Sequence, residues 1–384
     1  MSKIKIILLF GLIFCCIIIT NYHMKNEKLS THIINGEVAL SASSHEKDDY
    51  KKITPLNSRY NKYFDYAQGY KINYPNSMEI DFTLSAVKTV IADEELQIEI
   101  YVDDFENTVH SPLTYTVYSN KFLENNKTHI YEGEKRLSIH GMETHLRKWH
   151  RSKLSKVDND KNYYVSAEIT KNKHEVFTIF IKSVKPLKEE DYLPLLNSFQ
   201  CIRKKGLPQI HTVFNPVHKE FNAETAAFLD EYFSDNASLK WGIFEYSAPK
   251  SFDFLHSLEE KLDYTFEFLV KYVCFSSDGF PMDEIENAYE NKRYVELTLQ
   301  TMFEEGDNSD VLYAILNGQH DDFLQLYAEK IKEFNHPILF RLNNEMNGDW
   351  CVYSSYYASK DTEIFKEVWK YVYQIFEKNE VDNV

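Results

Sequence analysis

The residues best suited to chemistry lie in one short stretch near the C-terminal end of the sequence, PILFRLNNEMNGDW at positions 337–350. An apolar run there carries Arg341, and Asn344, Glu345 and Trp350 follow it. Glycosidic bond cleavage needs a positioned carboxylic acid, polar groups that bind hydroxyls, and an aromatic face that stacks on a pyranose ring. The stretch therefore predicts a sugar site, and the competing interpretations are a solvated charge or helix cap for Glu345 and a core indole for Trp350.

Short apolar runs and amphipathic segments alternate around this stretch. The runs at 241–244, 266–275, 294–302 and 338–342 have the composition of strands buried in parallel sheets. Helical spacing of apolar residues predicts helices at 223–233, 283–289, 323–334 and 364–376. This alternation predicts an α/β fold, doubly wound or barrel, and in a barrel Glu345 would follow the fourth strand at the functional rim.

A separate α+β accessory domain is predicted for residues 55–203. Period-two alternation at 96–102, 163–169 and 176–181 predicts half-buried strands, and residues 191–199 predict a closing helix. The heptapeptide GYKINYP at 69–75 resembles the start of small α+β domains of the PsbP or Mog1 type. His145, Trp149 and His150 are interpreted as structural or surface groups, since no partner spacing supports a metal. A charged and then rigid segment, 203–208, separates this domain from residues 208–384.

The N-terminus has the form of an export signal. Lys3 and Lys5 precede an apolar run at 6–19, which is shorter than the ~17–25 residues of a spanning helix. Residues 1–23 are predicted to be either a cleaved signal peptide or an uncleaved membrane anchor. Residues 24–54 are predicted to be a polar tether. We expect an extracellular or cell-surface protein that meets a membrane only through this segment.

The overall composition excludes several partner classes. A net charge of -16 argues against nucleic acid and anionic lipid, both of which need clustered Lys and Arg. The 27 Tyr and 26 Phe are interpreted mainly as core and sheet residues. The five cysteines give neither a disulfide framework nor metal-ligand spacing, so we expect no metal and no cofactor. Nothing in the composition predicts an oligomeric state.

Residues 315–350 resemble glycoside hydrolase family 26, the β-mannanases and related β-glycanases of the clan A barrel glycosidases. The shared pattern is a Gly and an Asp before an amphipathic helix, then a strand with Arg, then Glu-Met-Asn-Gly and Trp. This sequence supplies it as Gly318, Asp321 or Asp322, Pro337, Arg341, Glu345-Met346-Asn347-Gly348 and Trp350. Fainter agreement extends over 208–384, so the resemblance implies the first four βα units of a (β/α)8 TIM barrel after the α+β domain.

The resemblance also implies roles for the site residues. Glu345 would be the acid/base of a retaining mechanism on a polysaccharide, and Arg341 would orient a second carboxylate. Trp350 would stack on a sugar, and Asn344, which replaces the His common in mannanases, would donate to the sugar 2-hydroxyl. The aromatic pair expected after Trp350 is altered to Cys351-Val352-Tyr353, so mannan and other β-glycans both remain open.

A retaining glycosidase needs a second carboxylate ~5 to 5.5 Å from the acid/base. A whole barrel takes about 250 residues, so the resemblance implies that its second half and the nucleophile are missing here. Glu245, Asp278, Glu304 and Glu305 follow predicted strands and are weaker candidates for that carboxylate; Gln300 is a candidate sugar ligand. The alternatives to an enzyme are a non-catalytic carbohydrate-binding protein of the cell envelope and an inactive fragment.

Overall fold

The computed structural model describes residues 30–34, 37–41, 50–208, 210, 213–214, 219–276 and 279–384. The predicted signal or anchor at 1–23, most of the predicted tether and Asp278 lie outside these residues. None of the helices in the described ranges combines the length and the hydropathy of a membrane span.

The strands and helices are bounded as follows. The strands are β1 (Ser30–Ile34), β2 (Glu37–Ser41), β3 (Lys51–Pro55), β4 (Tyr60–Asp65), β5 (Tyr70–Pro75), β6 (Glu79–Asp81), β7 (Lys88–Ala92), β8 (Leu96–Asp104), β9 (Ile130–Ile139), β10 (Met142–His150), β11 (Tyr163–Thr170), β12 (Glu175–Ser183), β13 (Gln200–Cys201), β14 (Val213–Phe214), β15 (Gly242–Ile243), β16 (Phe268–Phe275), β17 (Tyr294–Phe303) and β18 (Leu339–Leu342). The helices are α1 (Pro112–Tyr118), α2 (Glu189–Ser198), α3 (Ala223–Phe233), α4 (Asp253–Leu262), α5 (Met282–Glu290), α6 (Val311–Leu316), α7 (Asp321–Phe334) and α8 (Thr362–Lys378), with a 3₁₀ turn at Lys121–Glu124.

The chain divides into two compact units. Unit 1 comprises the described residues of Met1–Tyr118, Tyr131–Arg151 and Lys161–Val217. Its largest sheet has the strand order β6-β7-β8-β12-β11-β10-β9, and a smaller sheet has the order β13-β5-β4-β3. The strands predicted at 96–102, 163–169 and 176–181 are confirmed as β8, β11 and β12, and the closing helix is confirmed as α2.

The large sheet of unit 1 buries an ion cluster. The Glu99 side chain is fully buried, and its carboxylate lies 3.0 Å from Lys88 Nζ and 2.9 Å from Lys182 Nζ. Burial alone would raise the pKa of Glu99, but Lys182 and Lys88 outweigh it and lower this pKa to about 2. The lysines therefore keep a buried carboxylate ionised.

Unit 2 comprises Ser119–Ile130, Ser152–Asp160 and His218–Val384. Its parallel sheet has the order β15-β16-β17-β18, and the predicted strands are confirmed there, although Trp241 and Phe244 lie outside β15. One face packs on the helices: Leu269, Leu297 and Leu299 join residues of α7 and α8 in the main core. The other face is open, because side chains alternate along each strand and Tyr272 on this face is 36% exposed.

Two short segments complete unit 2 although they precede most of it in sequence. His129 Nε2 lies 3.1 Å from the Tyr313 hydroxyl, and Leu154 belongs to the main core. Ser155 N donates to Asn317 Oδ1 at 3.1 Å, beside α6. The core of unit 2 is thus built from discontinuous parts of the chain.

The predicted fold class, a partial (β/α)8 TIM barrel after a small α+β domain, is wrong. Of the four sheets formed by the described residues, three are built from antiparallel pairs, and the parallel strands form an open sheet with β15 and β18 at its two edges. Closure into a barrel requires each edge strand to pair on both sides. Here β15 and β18 each pair on one side only, and they are short strands of two and four residues. Short apolar runs occur in open and closed parallel sheets alike, so they did not discriminate between the two.

Candidate functional site

The polypeptide turns sharply where β18 ends. Asn343 has φ 61° and Glu345 has φ 47°, both in the left-handed region that Asn adopts more readily than most residues. Asn343 is 3% exposed, and its Oδ1 accepts a hydrogen bond from Thr301 N at 2.7 Å. This bond joins the turn to the end of β17, so the residues that follow Asn343 are delivered to one rim.

Glu345 lies at this rim in contact with Trp350. The Glu345 side chain is exposed, and its Oε2 accepts a hydrogen bond of 2.7 Å from Trp350 Nε1. The indole itself is 69% exposed, so one aromatic face is available to a ligand. A Cβ added at Gly348 would lie 2.5 Å from Trp350 Cε2, which means that the indole occupies space that only glycine leaves. The turn thus sets a carboxylate beside an exposed aromatic ring.

Asn344 is held by two donors. Its Oδ1 accepts from Gln300 Nε2 at 2.9 Å and from the Tyr353 hydroxyl at 2.9 Å. Gln300 Nε2 also donates to the Tyr353 oxygen at 3.2 Å, and Cys274 Sγ donates to Gln300 Oε1 at 3.5 Å. Tyr353 is fully buried; burial and a bond to Cys351 raise its pKa to about 12. The phenol is therefore a donor at all ordinary pH values.

Arg341 ties three strands together on the open face of the parallel sheet. The register places it opposite Thr298 on β17, which in turn lies opposite Tyr272 on β16. Arg341 Nε donates to Thr298 Oγ1 at 2.9 Å, and Nη2 donates to the Tyr272 hydroxyl at 3.3 Å. Glu296 Oε1 lies 2.9 Å from the same Nε and forms an ion pair with it. The Nε hydrogen points to Thr298, so Glu296 Oε1 accepts no hydrogen bond from it.

The other carboxylates considered from the sequence have different settings. Glu245 Oε2 accepts from Ser247 N, Ser247 Oγ and Ala248 N, so it stabilises the turn after β15. Burial would raise the pKa of Glu245, but these hydrogen bonds outweigh it and lower the pKa. Glu304 is exposed and lines a cavity of about 770 Å³ with Cys274, and Glu305 is exposed.

The structure brings some of the predicted site residues together. Glu345 contacts Trp350 directly, and Asn344 adjoins Glu345 in the turn, whereas Arg341 lies lower on the sheet and contacts Glu296. The sequence reading missed Glu296 as the partner of Arg341 and Tyr353 as the partner of Asn344. Two features of the sequence could have indicated these partners. Glu296 is an acidic residue two positions before Thr298, and Tyr353 is a tyrosine three positions after Trp350. Among the residues that the structure describes, no group of three or more His, Cys, Asp or Glu could hold a metal.

Comparison with known proteins gives one match that bears on this site. No curated protein is similar enough to match the chain. Among solved structures, the solution structure of cyanobacterial PsbP (CyanoP) from Synechocystis sp. PCC 6803 has a TM-score of 0.29 and 11% identity, covering 39% of this chain and 97% of that chain. The Saccharomyces cerevisiae Ran-binding protein Mog1p has a TM-score of 0.26 and 12% identity, covering 40% and 96%. Both TM-scores are too low to assign either fold here. Residues 294–384, which contain β17 and β18 with Arg341, Asn344, Glu345 and Trp350, match the sequence model of glycosyl hydrolase family 26.

Proposed function

We propose that this protein hydrolyses β-glycosidic bonds of a polysaccharide, a mannan or another β-glycan, with net retention of configuration. The observation that carries the proposal is the pairing of the exposed Glu345 carboxylate with the exposed Trp350 indole at 2.7 Å. A sugar stacked on that indole would have its glycosidic oxygen within reach of the neighbouring carboxyl group. The match of residues 294–384 to glycosyl hydrolase family 26 supports the same reaction class.

In this mechanism Glu345 acts as acid and then as base. Its carboxyl group protonates the leaving glycosidic oxygen as a second carboxylate attacks the anomeric carbon. The resulting Glu345 carboxylate then removes a proton from the water that displaces this second carboxylate from the same carbon. Trp350 Nε1 donates to the Glu345 oxygen Oε2. This bond holds the carboxylate beside the indole, where a stacked sugar would present its leaving group. Asn344 supplies an amide for a sugar hydroxyl.

The proposal assigns Arg341 a substrate-binding role on the open face of the sheet, before the rim where Asn344 and Glu345 lie. Its ion pair is with Glu296, which precedes Gln300 by four residues on β17. At ~3.3 Å per residue this is about 13 Å along the strand. Because Gln300 is level with Asn344, Glu296 lies too far from Glu345 to be the carboxylate required at ~5 to 5.5 Å. We therefore do not assign the nucleophile to Glu296.

Azide rescue tests the role of Glu345. The full chain and its Glu345→Ala variant are incubated with 2,4-dinitrophenyl β-mannoside and β-glucoside, whose leaving group needs no acid. We expect Glu345→Ala to turn over slowly and to be accelerated by azide with formation of a β-glycosyl azide. Glu260→Ala, which removes an exposed carboxylate on α4, serves as the control and keeps wild-type activity. A turnover number of Glu345→Ala equal to that of the wild type, with no acceleration by azide, would exclude Glu345 as the acid/base.

Covalent trapping tests the retaining pathway and finds the nucleophile. The wild-type protein is incubated with 2-deoxy-2-fluoro-β-mannosyl and β-glucosyl fluorides and analysed by intact mass and peptide mapping. A retaining enzyme gains the mass of one fluoroglycosyl group on a carboxylate other than Glu345. If hydrolysis of the parent glycosides occurs with inversion and no adduct forms, the retaining mechanism is incorrect.

A non-catalytic carbohydrate-binding role is the second candidate. It is favoured by the 69% exposure of Trp350 and by the fact that Arg341 already contacts three polar partners on its own sheet. In that case soluble β-mannan or β-glucan would retard the native protein and Glu345→Gln equally in affinity electrophoresis. Trp350→Ala would abolish the retardation, and no reducing ends would be released.

We also propose that the protein is exported and acts outside the cell or at its surface. The support is the sequence of residues 1–23, with Lys3 and Lys5 before the apolar run. Fractionation of cells that express the full chain or a chain lacking 1–23 tests this. Recovery of both in the cytoplasm would contradict export.

A further inference from the structure

A second cavity lies at the end of the parallel sheet where β16 and β17 begin. Its volume is about 710 Å³, within the ~300–1,000 Å³ that is usual for small-molecule sites. Tyr232 at the end of α3, Tyr289 at the end of α5 and Tyr294 at the start of β17 line it. Tyr294 precedes Gln300 on β17 by about 20 Å at ~3.3 Å per residue, so the cavity is remote from the rim where Glu345 lies. The proposed hydrolysis does not use it.

The three tyrosines form packed aromatic walls. The rings of Tyr232 and Tyr294 lie 5.4 Å apart between centroids, at an interplanar angle of 68°. The buried Phe228 packs against Tyr294 with centroids 4.4 Å apart. Tyr289 stacks on His336 with centroids 3.8 Å apart and an interplanar angle of 18°. Because each ring packs on another ring of the protein, the walls are preformed.

Two of these tyrosines donate their hydroxyl hydrogens to carboxylates. The Tyr232 hydroxyl donates to Glu267 Oε2 at 2.6 Å, and the Tyr289 hydroxyl donates to Glu224. Burial and these carboxylates raise the pKa of both phenols, which therefore keep their protons. A phenol that donates to a carboxylate has a more electron-rich ring, and the face of such a ring attracts a cation more strongly.

The charged residues that line the cavity leave an excess of carboxylate. Arg293 is buried, and its Nη2 donates to both oxygens of Glu259 at 3.1 and 3.0 Å, so a partner within the protein balances its charge. Glu231, Glu290 and Lys292 are exposed and form no ion pair with one another or with any other described residue. Two free carboxylates and one free ammonium group thus border the aromatic walls.

We propose that this cavity binds a soluble organic cation with an alkylated ammonium head group, of the choline type, against the rings of Tyr232, Tyr289 and Tyr294. Such a cation suits aromatic walls, because the ring faces attract its charge while its methyl groups make no hydrogen bonds. A hard metal ion would instead need several free oxygen ligands, and Glu267 is already engaged by Tyr232 and Lys240. The proposal is independent of the proposed hydrolysis.

A comparison of choline with its neutral carbon analogue tests the proposal. Choline chloride and 3,3-dimethylbutan-1-ol, which have nearly the same shape, are titrated into the full chain and followed by NMR at constant ionic strength. We expect choline to bind about fivefold more tightly or better, because the neutral analogue lacks the attraction between the charge and a ring face. Equal binding of the two compounds, or no saturable binding of choline, overturns the proposal.

Variants locate the binding. Tyr232→Leu and Tyr294→Leu each replace a ring by an apolar side chain and should weaken choline binding about fivefold, with the neutral analogue changed by less than about twofold. Tyr232→Phe keeps the ring and should stay within about threefold of wild type. Trp369→Leu, which removes an exposed ring on α8 outside the cavity, is the matched control and should leave choline binding unchanged.

Urea unfolding of each variant identifies those that are folded under the titration conditions, and only these are compared. Choline binding that survives both leucine variants, or that falls equally in Trp369→Leu, overturns the assignment to this cavity. Sedimentation with phosphatidylcholine vesicles separates the two sources of the head group. Recovery of the protein in the supernatant supports a soluble cation, whereas its retention on the vesicles would assign a lipid and refute the proposal.

Discussion

Replacing Gly348 by alanine should displace the Trp350 indole from Glu345. The added Cβ would lie 2.5 Å from both Cε2 and Cζ2 and 2.9 Å from Cδ2, and all three nearest atoms belong to this one ring. Carbon atoms in contact are ~3.5 to 4.0 Å apart, so the ring must move by about 1 Å or more. A bond of 2.7 Å from Nε1 to Glu345 Oε2 does not survive that displacement.

The energetic size follows from the exposure of the ring. Because Trp350 is 69% exposed, it can swing into solvent, and the cost is limited to its hydrogen bond and ring contacts, about 1 kcal/mol. Gly348 does not have a positive φ, so alanine is not strained there and stabilises through the unfolded chain by about 0.4–1 kcal/mol. Gly348→Ala should therefore be nearly neutral in wild type but stabilising by about 0.4–1 kcal/mol when Trp350 is already alanine.

The quantity to measure is the coupling between the two positions. Urea unfolding of wild type, both single variants and the double variant gives it directly, and we expect about 1 kcal/mol. Asn347→Ala, an exposed change in the same turn, should show no coupling with Trp350→Ala. Binding of β-1,4-mannohexaose and cellohexaose by Gly348→Ala should fall together with the loss of the indole contact. A coupling within about 0.3 kcal/mol of zero would refute the packing argument.

Further predictions concern stability. Glu99→Gln removes the buried carboxylate that Lys88 and Lys182 share and should lower the free energy of unfolding by about 3–5 kcal/mol, measured by urea denaturation at pH 7. The pKa of Glu99, about 2, lies below its ordinary value of 4.5, so its stabilisation is fully present above pH 4.5 and is lost as the pH falls towards 2. The fall in unfolding free energy between pH 4.5 and pH 2 should therefore be smaller in Glu99→Gln than in wild type, which checks the sign. Asn343→Ala loses the bond from Thr301 N and places alanine at φ 61°, so it should cost about 2–3 kcal/mol by urea unfolding, whereas Asn343→Gly removes the strain and should cost about 1 kcal/mol less.

The strands and helices of unit 2 could be predicted because apolar spacing is a local property of the sequence. The fold class could not, and β17 shows why. Its apolar content predicts one continuous buried run, although Glu296, Thr298 and Gln300 alternate with Val295, Leu297 and Leu299. Alternation of this kind indicates one face packed on helices and one open face. The period-two alternation along β17, had it been used, would have predicted the polar face of the sheet on which Arg341 lies.

The candidate site was predicted in part because its outer residues are contiguous. Asn344, Glu345 and Trp350 follow one another in a single turn, so composition alone placed them together. The partners of Arg341 and Asn344 come from another strand, and the pairing of Thr298 with Arg341 is a register that no local pattern specifies. Residues that act through strand pairing are therefore the ones that sequence reasoning missed.

The discontinuous make-up of unit 2 has a consequence for its synthesis. His129 and its partner Tyr313 are 184 residues apart in the chain. At ~5–20 residues per second, a ribosome takes about 10 to 40 s to synthesise the chain between them. Segment Ser119–Ile130 therefore leaves the ribosome long before α6 exists, and unit 2 completes its core only after α8, which supplies core residues such as Val368 and Val372, has been synthesised.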